Sequence, residues 1–356
     1  MIASETTPAK WGDEGAMTGD DLKLLRERRG LTQTQMAAFV NELTGRRYDK
    51  QRLSKWETGR EPLPRDVLGR LLLLSLEQPA TEAPRAGTTI AVGLQKGGTA
   101  KTATSINVAF MLARSGNRVL LVDADPQGNA TVHVGVPQTD VVALTEQGRV
   151  LYHALMGKAK LAEVIRPTSV EGLDVVPSSI ALASADTELP GNLTNAQTAM
   201  AEMLDAVRGE YDFILIDCAP NLGAVTINAL TAADYVLIPC QAEPHAILGV
   251  NAFLDTVTKI QRRLNPNLRI LGVLPTMLNP RQTQDRSSLE DIGRLWGEDY
   301  RVFPPVPRAT IYAQAAGANV ITLDADIGAP GVESYAAIAG ALLKATGRVQ
   351  ESSDAA

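Results

Sequence analysis

The sequence predicts an α/β protein, a doubly wound and mostly parallel sheet preceded by a small all-α domain. Three apolar runs, Thr89 to Leu94, Arg118 to Asp123 and Tyr211 to Asp217, each end in a loop rich in Gly, Pro or Asp, and the first leads into a helical run from Ala103 to Ala113. Strands that alternate with helices build parallel sheets. Between Leu22 and Arg70, by contrast, the apolar residues recur at helical spacing, and 12 Lys and Arg stand against 6 Asp and Glu although the whole chain carries −6. A basic module on an acidic protein suggests a polyanionic partner for that module. The chain has 356 residues, 45% hydrophobic and only 4% aromatic, which suits a large core packed from Ala, Val, Leu and Ile.

The first strand feeds Lys96-Gly97-Gly98-Thr99-Ala100-Lys101-Thr102, and Ala103 follows inside the helix. A strand, a glycine-rich turn and a helix N-terminus aim several backbone N–H groups and the helix dipole at one point, which suits a phosphate chain. In that setting Lys101 reaches the β- and γ-phosphates and the Thr102 hydroxyl holds Mg²⁺. Ala100 stands where the ordinary loop has glycine, and a positive φ there would cost alanine about 1 kcal/mol. The sequence therefore predicts a loop of non-standard form, in which a second lysine, Lys96, replaces the missing glycine.

Lys-Gly-Gly-x-x-Lys-Thr resembles the deviant Walker A motif of the ParA/MinD family of dimeric ATPases. The later loops agree with it: Asp123-Ala124-Asp125-Pro126-Gln127-Gly128-Asn129 is similar to the family's first switch segment, and Asp217-Cys218-Ala219-Pro220-Asn221-Leu222-Gly223 to its Walker B strand end and second switch. The resemblance covers nearly all of residues 88–347. It implies ATP and Mg²⁺ as cofactors, with nucleotide contacts running from Lys96 to Ala103. Lys96 would reach across a homodimer to the partner's nucleotide, Asp125 would position the attacking water, and Thr102, Asp217 and Asp123 would form the metal set. It further implies a ParB-like partner that stimulates slow hydrolysis. Val306-Pro307-Arg308 resembles the start of a family segment used in non-specific DNA binding, but Ile311 and Gln314 replace its second arginine and its glutamate. Arg308 and Arg281, with Arg286 nearby, are the phosphate-contact candidates of this part.

In the amino-terminal module a helix runs from Asp20 to Gly30. Thr32 and Gln35 form a capping box for a second helix, and Asp49 caps a third in which Leu53 and Trp56 face inward. Leu31-Thr32-Gln33 and Leu53-Ser54-Lys55-Trp56-Glu57-Thr58-Gly59 resemble the Cro/repressor type of helix-turn-helix, with a loop between the second and third helices about six residues longer than usual. The third helix would enter the major groove of an operator, with Lys50, Gln51, Arg52 and Lys55 as its readers; Arg52 suits guanine and Gln51 adenine. The helix from Val67 to Leu76 packs on this module or pairs with its twin.

The expected domains are a tail at 1–18, a helix-turn-helix domain at 19–77, a linker at 78–87, an ATPase domain at 88–347 and a tail at 348–356. Cys218 and Cys240 lack C-x-x-C spacing and read as buried thiols of a reducing cytosol; His133, His153 and His245 lack metal-ligand spacing. No run reaches the roughly 18 apolar residues of a membrane span, and the acidic carboxyl end lacks the basic amphipathic helix that anchors MinD-like relatives. The expectation is a cytoplasmic, nucleoid-associated partition ATPase that represses its own operon. A transcriptional regulator with an ATP-controlled dimer switch, and a relative that positions a cargo other than DNA, are the rival readings.

Overall fold

A computed structural model describes residues 17–77, 87–191, 195–243 and 246–347. The expected tails, apart from Met17 and Thr18, and the linker, apart from Gly87, lie outside the described residues. Four helices come first: α1 (Gly19–Arg28), α2 (Gln33–Thr44), α3 (Lys50–Glu57) and α4 (Arg65–Leu76). Their starts follow from side chains that satisfy otherwise unpaired N–H groups. Thr18, placed in the tail by its sequence, caps α1 in a reciprocal box with Asp21; Thr32 and Gln35 do the same for α2, and Asp49 caps α3. Leu22, Met36, Val40, Leu53, Trp56, Val67 and Leu71 close a small core of their own.

The rest is one seven-stranded sheet built from β1 (Thr88–Val92), β2 (Val119–Ala124), β3 (Arg166–Pro167), β4 (Leu173–Val176), β5 (Phe213–Cys218), β6 (Tyr235–Gln241) and β7 (Arg269–Thr276). The strand order is β3-β4-β2-β5-β1-β6-β7, and every pair is parallel except β3 with β4. The central strands β2 and β5 are buried throughout, as strands covered on both faces must be, and their sequences are accordingly near-continuous apolar runs. One face is covered by α5 (Lys101–Arg114) and the helix Val332–Ala345, the other by helices that include Ala224–Ala232 and Ala246–Arg263. Arg301 to Phe303, which reads as a strand in sequence, is an extended segment that makes a single parallel bridge, Val302 to Val273 of β7.

Helix α4 belongs to both cores. Val67 and Leu71 face the small helical core, whereas Leu68, Leu72 and Leu76 join the large one against the helix Val332–Ala345. Its first turn is tied down as well: the Arg65 guanidinium donates to Gly328 O at 2.9 Å and to Ala329 O at 3.3 Å and pairs with Glu333 at 3.3 Å. Gly69 is required by this contact, because a Cβ there would sit 2.0 Å from Ile327 O.

Candidate active site

The order β2-β5-β1 puts the carboxyl ends of three adjacent strands side by side, and each strand delivers one of the sequence motifs there. The register aligns Asp217 of β5 with Val92 of β1 and with Asp123 of β2. This is the edge at which open α/β sheets hold ligands.

After β1 the loop turns through Gly98 (φ 72) and Ala100 (φ 61, ψ 29), and α5 begins at Lys101. The left-handed backbone at Ala100 is thus present despite the alanine, which corrects the expectation of a loop of different form. The shape persists because both ends of the loop are fixed, by β1 and α5 on the chain and by the buried Thr276 hydroxyl of β7, which donates to Thr99 O at 3.1 Å. Nothing lies within 4 Å of a Cβ placed on Gly97 or Gly98, and no side chain caps the N-terminus of α5, so its N–H groups face open space. Lys101 is 7% exposed; its Nζ donates to Lys96 O at 2.7 Å. Desolvation lowers its pKa, and the nearby Asp217 opposes that shift.

Asp217 is fully buried. Its Oδ1 accepts from the Ser105 hydroxyl at 2.9 Å, while its Oδ2 has no hydrogen-bond partner. Burial raises its pKa to about 6, with the Thr102 and Ser105 hydroxyls pulling the other way. An unpartnered, buried carboxylate oxygen beside a threonine on the first turn of α5 fits a hydrated divalent cation. Asp123 is also fully buried, but both of its oxygens are engaged: Oδ1 accepts from Asp125 N at 3.2 Å, and Oδ2 from the Thr131 backbone and hydroxyl at 2.7 and 2.6 Å. Burial, and then the charge of Asp217, raise its pKa to about 7. Its carboxyl therefore organises the loop into the short helix α6 (Asn129–His133) instead of presenting a free oxygen. Asp125 is half-buried, with Oδ1 accepting from Gln127 N at 2.9 Å. Lys96 is half-buried and pairs with Glu243 of its own chain at 3.1 Å. Ser105, Thr131, Glu243 and Thr276 escaped the sequence reading, since each is recognised only by a partner far away in the chain. Cys218 and Cys240 are both buried, which raises each thiol to about 12.

The sequence from residue 87 to 270 matches the AAA domain family, and residues 19–81 match a helix-turn-helix domain family. The sporulation initiation inhibitor protein Soj of Bacillus subtilis is 41% identical over 239 residues, which span 67% of this chain and 92% of that protein. The chromosome partitioning protein ParA of Myxococcus xanthus is 36% identical over 259 residues, covering 72% of this chain and 88% of the relative. The chain belongs to the ParA/Soj family of partition ATPases. Solved structures share this fold. Cobyrinic acid a,c-diamide synthase from Mycobacterium smegmatis, with a bound ATP analog and magnesium, superimposes with a TM-score of 0.62 at 33% identity, over 73% of this chain and 96% of the other. The ATP complex of Cyanothece McdA(D38A) gives 0.64 at 20% identity, over 75% and 98%, and shares the fold.

This ParA-family chain carries a helical module ahead of its sheet domain. Lys50, Gln51, Arg52 and Lys55 are all exposed on α3, with Arg52 paired to Glu61 and Lys55 4.0 Å from the same carboxylate. The connection before α3 is only five residues, 45–49, because α2 runs on to Thr44, which corrects the expectation of a loop about six residues longer than usual. Asn41 orders it, its Nδ2 donating to Tyr48 O at 2.9 Å and its Oδ1 accepting from Tyr48 N at 2.6 Å. Tyr48 then meets Trp56 edge-on, 4.8 Å between ring centres. The additional length lies in α2, and the short turn after it is pinned beside the start of α3. Arg281 and Arg308 are exposed in two loops that the Leu278–Pro307 bridge holds together, while Ile311 is half-buried against the core. Among the described residues no helix is long and apolar enough to cross a membrane.

Proposed function

We propose that this chain is an ATP-dependent partition protein that closes into a dimer on ATP, contacts DNA, and represses its own operon through the amino-terminal module. The observation that carries the reading is the buried Lys101 and Asp217 pair, with one carboxylate oxygen unpartnered, beneath an uncapped helix N-terminus. The loop from Lys96 to Ala103 holds the phosphates through backbone N–H groups, and Lys101 exchanges its carbonyl partner for them. Thr102 and Asp217 would hold magnesium, which when bound supplies charge neutralisation on the β- and γ-oxygens. Asp123 shapes the loop that carries Asp125, and Asp125 orients water. Lys96, released from Glu243, reaches the partner's nucleotide. Intrinsic hydrolysis is slow because no strong base faces the water, and a ParB-like partner raises it.

Specific DNA is read by Lys50, Gln51, Arg52 and Lys55. Non-specific DNA meets Arg281 and Arg308 and is lost steeply with salt as counterions are released. Packing of α4 into both cores also favours a second reading, a transcriptional regulator in which the nucleotide state sets operator affinity. The deciding experiment is dimerisation measured by light scattering with and without ATP, operator and random duplex. The partition reading expects ATP-dependent dimers that bind random duplex, lost in Lys101→Ala and trapped in Asp125→Ala. Dimers that bind operator alone support the regulator, and equal loss of ATP affinity in both variants refutes the site.

A further inference from the structure

The crossover that leaves β4 touches both switch segments. At its start, Ser178 N donates to the Thr131 hydroxyl at 2.9 Å, and the same hydroxyl donates to Asp123 Oδ2 at 2.6 Å. Ser178 O lies 3.4 Å from where a Cβ of Gly128 would be, so the backbone of the first switch rests against this residue. The chain then runs through a 3₁₀ turn, Ile180–Ser184, directly into the helix Ala185–Glu188, with Leu182 and Ala185 wholly buried in the core. At the far end Asp186 grips the second switch. Its Oδ2 accepts from Asn221 Nδ2 at 2.9 Å and its Oδ1 from Val225 N at 3.0 Å, at the start of the helix Ala224–Ala232. Asn221 is held from the other side by the Thr226 hydroxyl, which donates to Asn221 O at 2.8 Å. The carboxylate fits so closely that a Cβ on Gly223 would come within 2.3 Å of one oxygen and 2.4 Å of the other.

We infer that residues 178–186 form a rigid strap that couples the two switch segments, with Thr131 and Asp186 as its anchoring, positioning residues. The inference rests on the reading of Asp125 and Asp217 as the residues that work on the nucleotide. The physical content is that neither loop can shift alone. The first switch is bonded to one end of a short helical rod, anchored in the core by Leu182 and Ala185, and the second switch to the other, and such packed rods move as units. Asp123 and Asp217, aligned in the register of adjacent strands, head these two loops. A movement of the Asp125 loop is thereby transmitted to the Asn221 loop across the top of the sheet, and hydrolysis requires both in place.

The test uses two shape-preserving substitutions in the full chain. Thr131→Val removes the hydroxyl that serves the strap and Asp123. Asp186→Asn sets an amide donor against one of the two donors that the carboxylate accepted. Hydrogen exchange is read by mass spectrometry on peptides spanning residues 125–135 and 219–229, and ATP turnover is measured in parallel. Each variant is expected to speed exchange at the remote loop as well as its own by about tenfold, the scale of one hydrogen bond. The double variant should exchange no faster at either loop than the faster single variant. In each single variant kcat falls by about tenfold while KM for ATP stays within about twofold, and Thr131→Ser and Asp186→Glu recover most of the loss. Loosening confined to each variant's own loop, or effects that multiply in the double variant, would overturn the strap. Should Thr131→Val not fold, Asp186→Asn alone decides, through exchange in the 125–135 peptide. Absence of ATP hydrolysis by the unaltered chain would instead refute the reading of the site, and the exchange arm still decides the strap.

Discussion

Replacing Ala100 with glycine should stabilise the protein without changing its nucleotide loop. Ala100 sits at φ 61 and ψ 29, a left-handed conformation in which an L-residue's Cβ crowds its own backbone. That crowding costs about 1–2 kcal/mol, and glycine escapes it while losing up to about 1 kcal/mol through its freer unfolded chain. The net gain expected is about 0.5–1 kcal/mol, equivalent to a rise of about 1–3 °C in the unfolding midpoint for a unit of this size. Because Gly98 already turns through positive φ and the loop ends are fixed by β1, α5 and the Thr276 bond, the loop has no reason to rearrange. Differential scanning calorimetry of the full chain, with ATP binding measured beside it, provides the assay. An unchanged or lowered midpoint would show that the alanine is not strained and that the argument from backbone sterics fails at this position. A raised midpoint with weakened ATP binding would show that alanine serves the ligand by stiffening the loop.

Other outcomes follow from the same reasoning. Gly69→Ala drives a methyl group into Ile327 O and should destabilise the protein by about 1–3 kcal/mol, read by urea unfolding monitored through tryptophan fluorescence; an unchanged curve would mean α4 does not bind both cores. Asp123 has its folded pKa raised from 3.8 to about 7, so the stability it contributes is complete below the unfolded value and is lost as pH rises through the folded one. The midpoint advantage of Asp123→Asn in the nucleotide-free chain should therefore grow between about pH 4 and pH 7 and level off above; a gap that shrinks with pH contradicts the assigned shift. Lys96 and Glu243 keep 31% and 48% of their side chains exposed, so their pairing contributes less than about 1 kcal/mol and is readily given up. Glu243→Ala should leave monomer stability unchanged and strengthen ATP-dependent dimerisation, whereas Lys96→Ala weakens it; light scattering would detect normal dimers in both if the bridging role is wrong. Gln51→Ala and Arg52→Ala should each lose about 1–3 kcal/mol of operator binding with little effect on random duplex, and equal losses on both would mean that α3 does not read sequence.

The parts legible in the sequence are those written locally. Thr32 with Gln35, and Asp49, mark helix starts because a cap acts within one turn, and both are observed. The glycine-rich loop and the two acid-ended strands announce themselves by pattern, and parallel topology then brings them together on β1, β2 and β5. Partners chosen by the fold were not legible. Nothing near Asn221 signals that its amide will meet Asp186, 35 residues earlier, and nothing near Asp217 signals Ser105. Asp123 shows the limit well: its place at a strand end is readable, but the occupation of both its oxygens by Asp125 and Thr131 is settled only once the loop has closed. The conformation of Ala100 escaped for the opposite reason, because local preference points away from it and the surrounding elements overrule that preference.

Helix α4 turns one side to each core, and this makes the amino-terminal helical module a fixed attachment of the sheet domain. In the proposed ATP dimer, two chains that meet through their nucleotide-binding halves would then carry their α3 helices at one separation and one relative angle. On the proposed reading, half-site spacing in the operator would become a molecular caliper for how the ATPase halves are joined. Inserting about 5 base pairs between half-sites would set them on opposite faces of the duplex, a mismatch that a flexibly tethered reader would tolerate and this one would not.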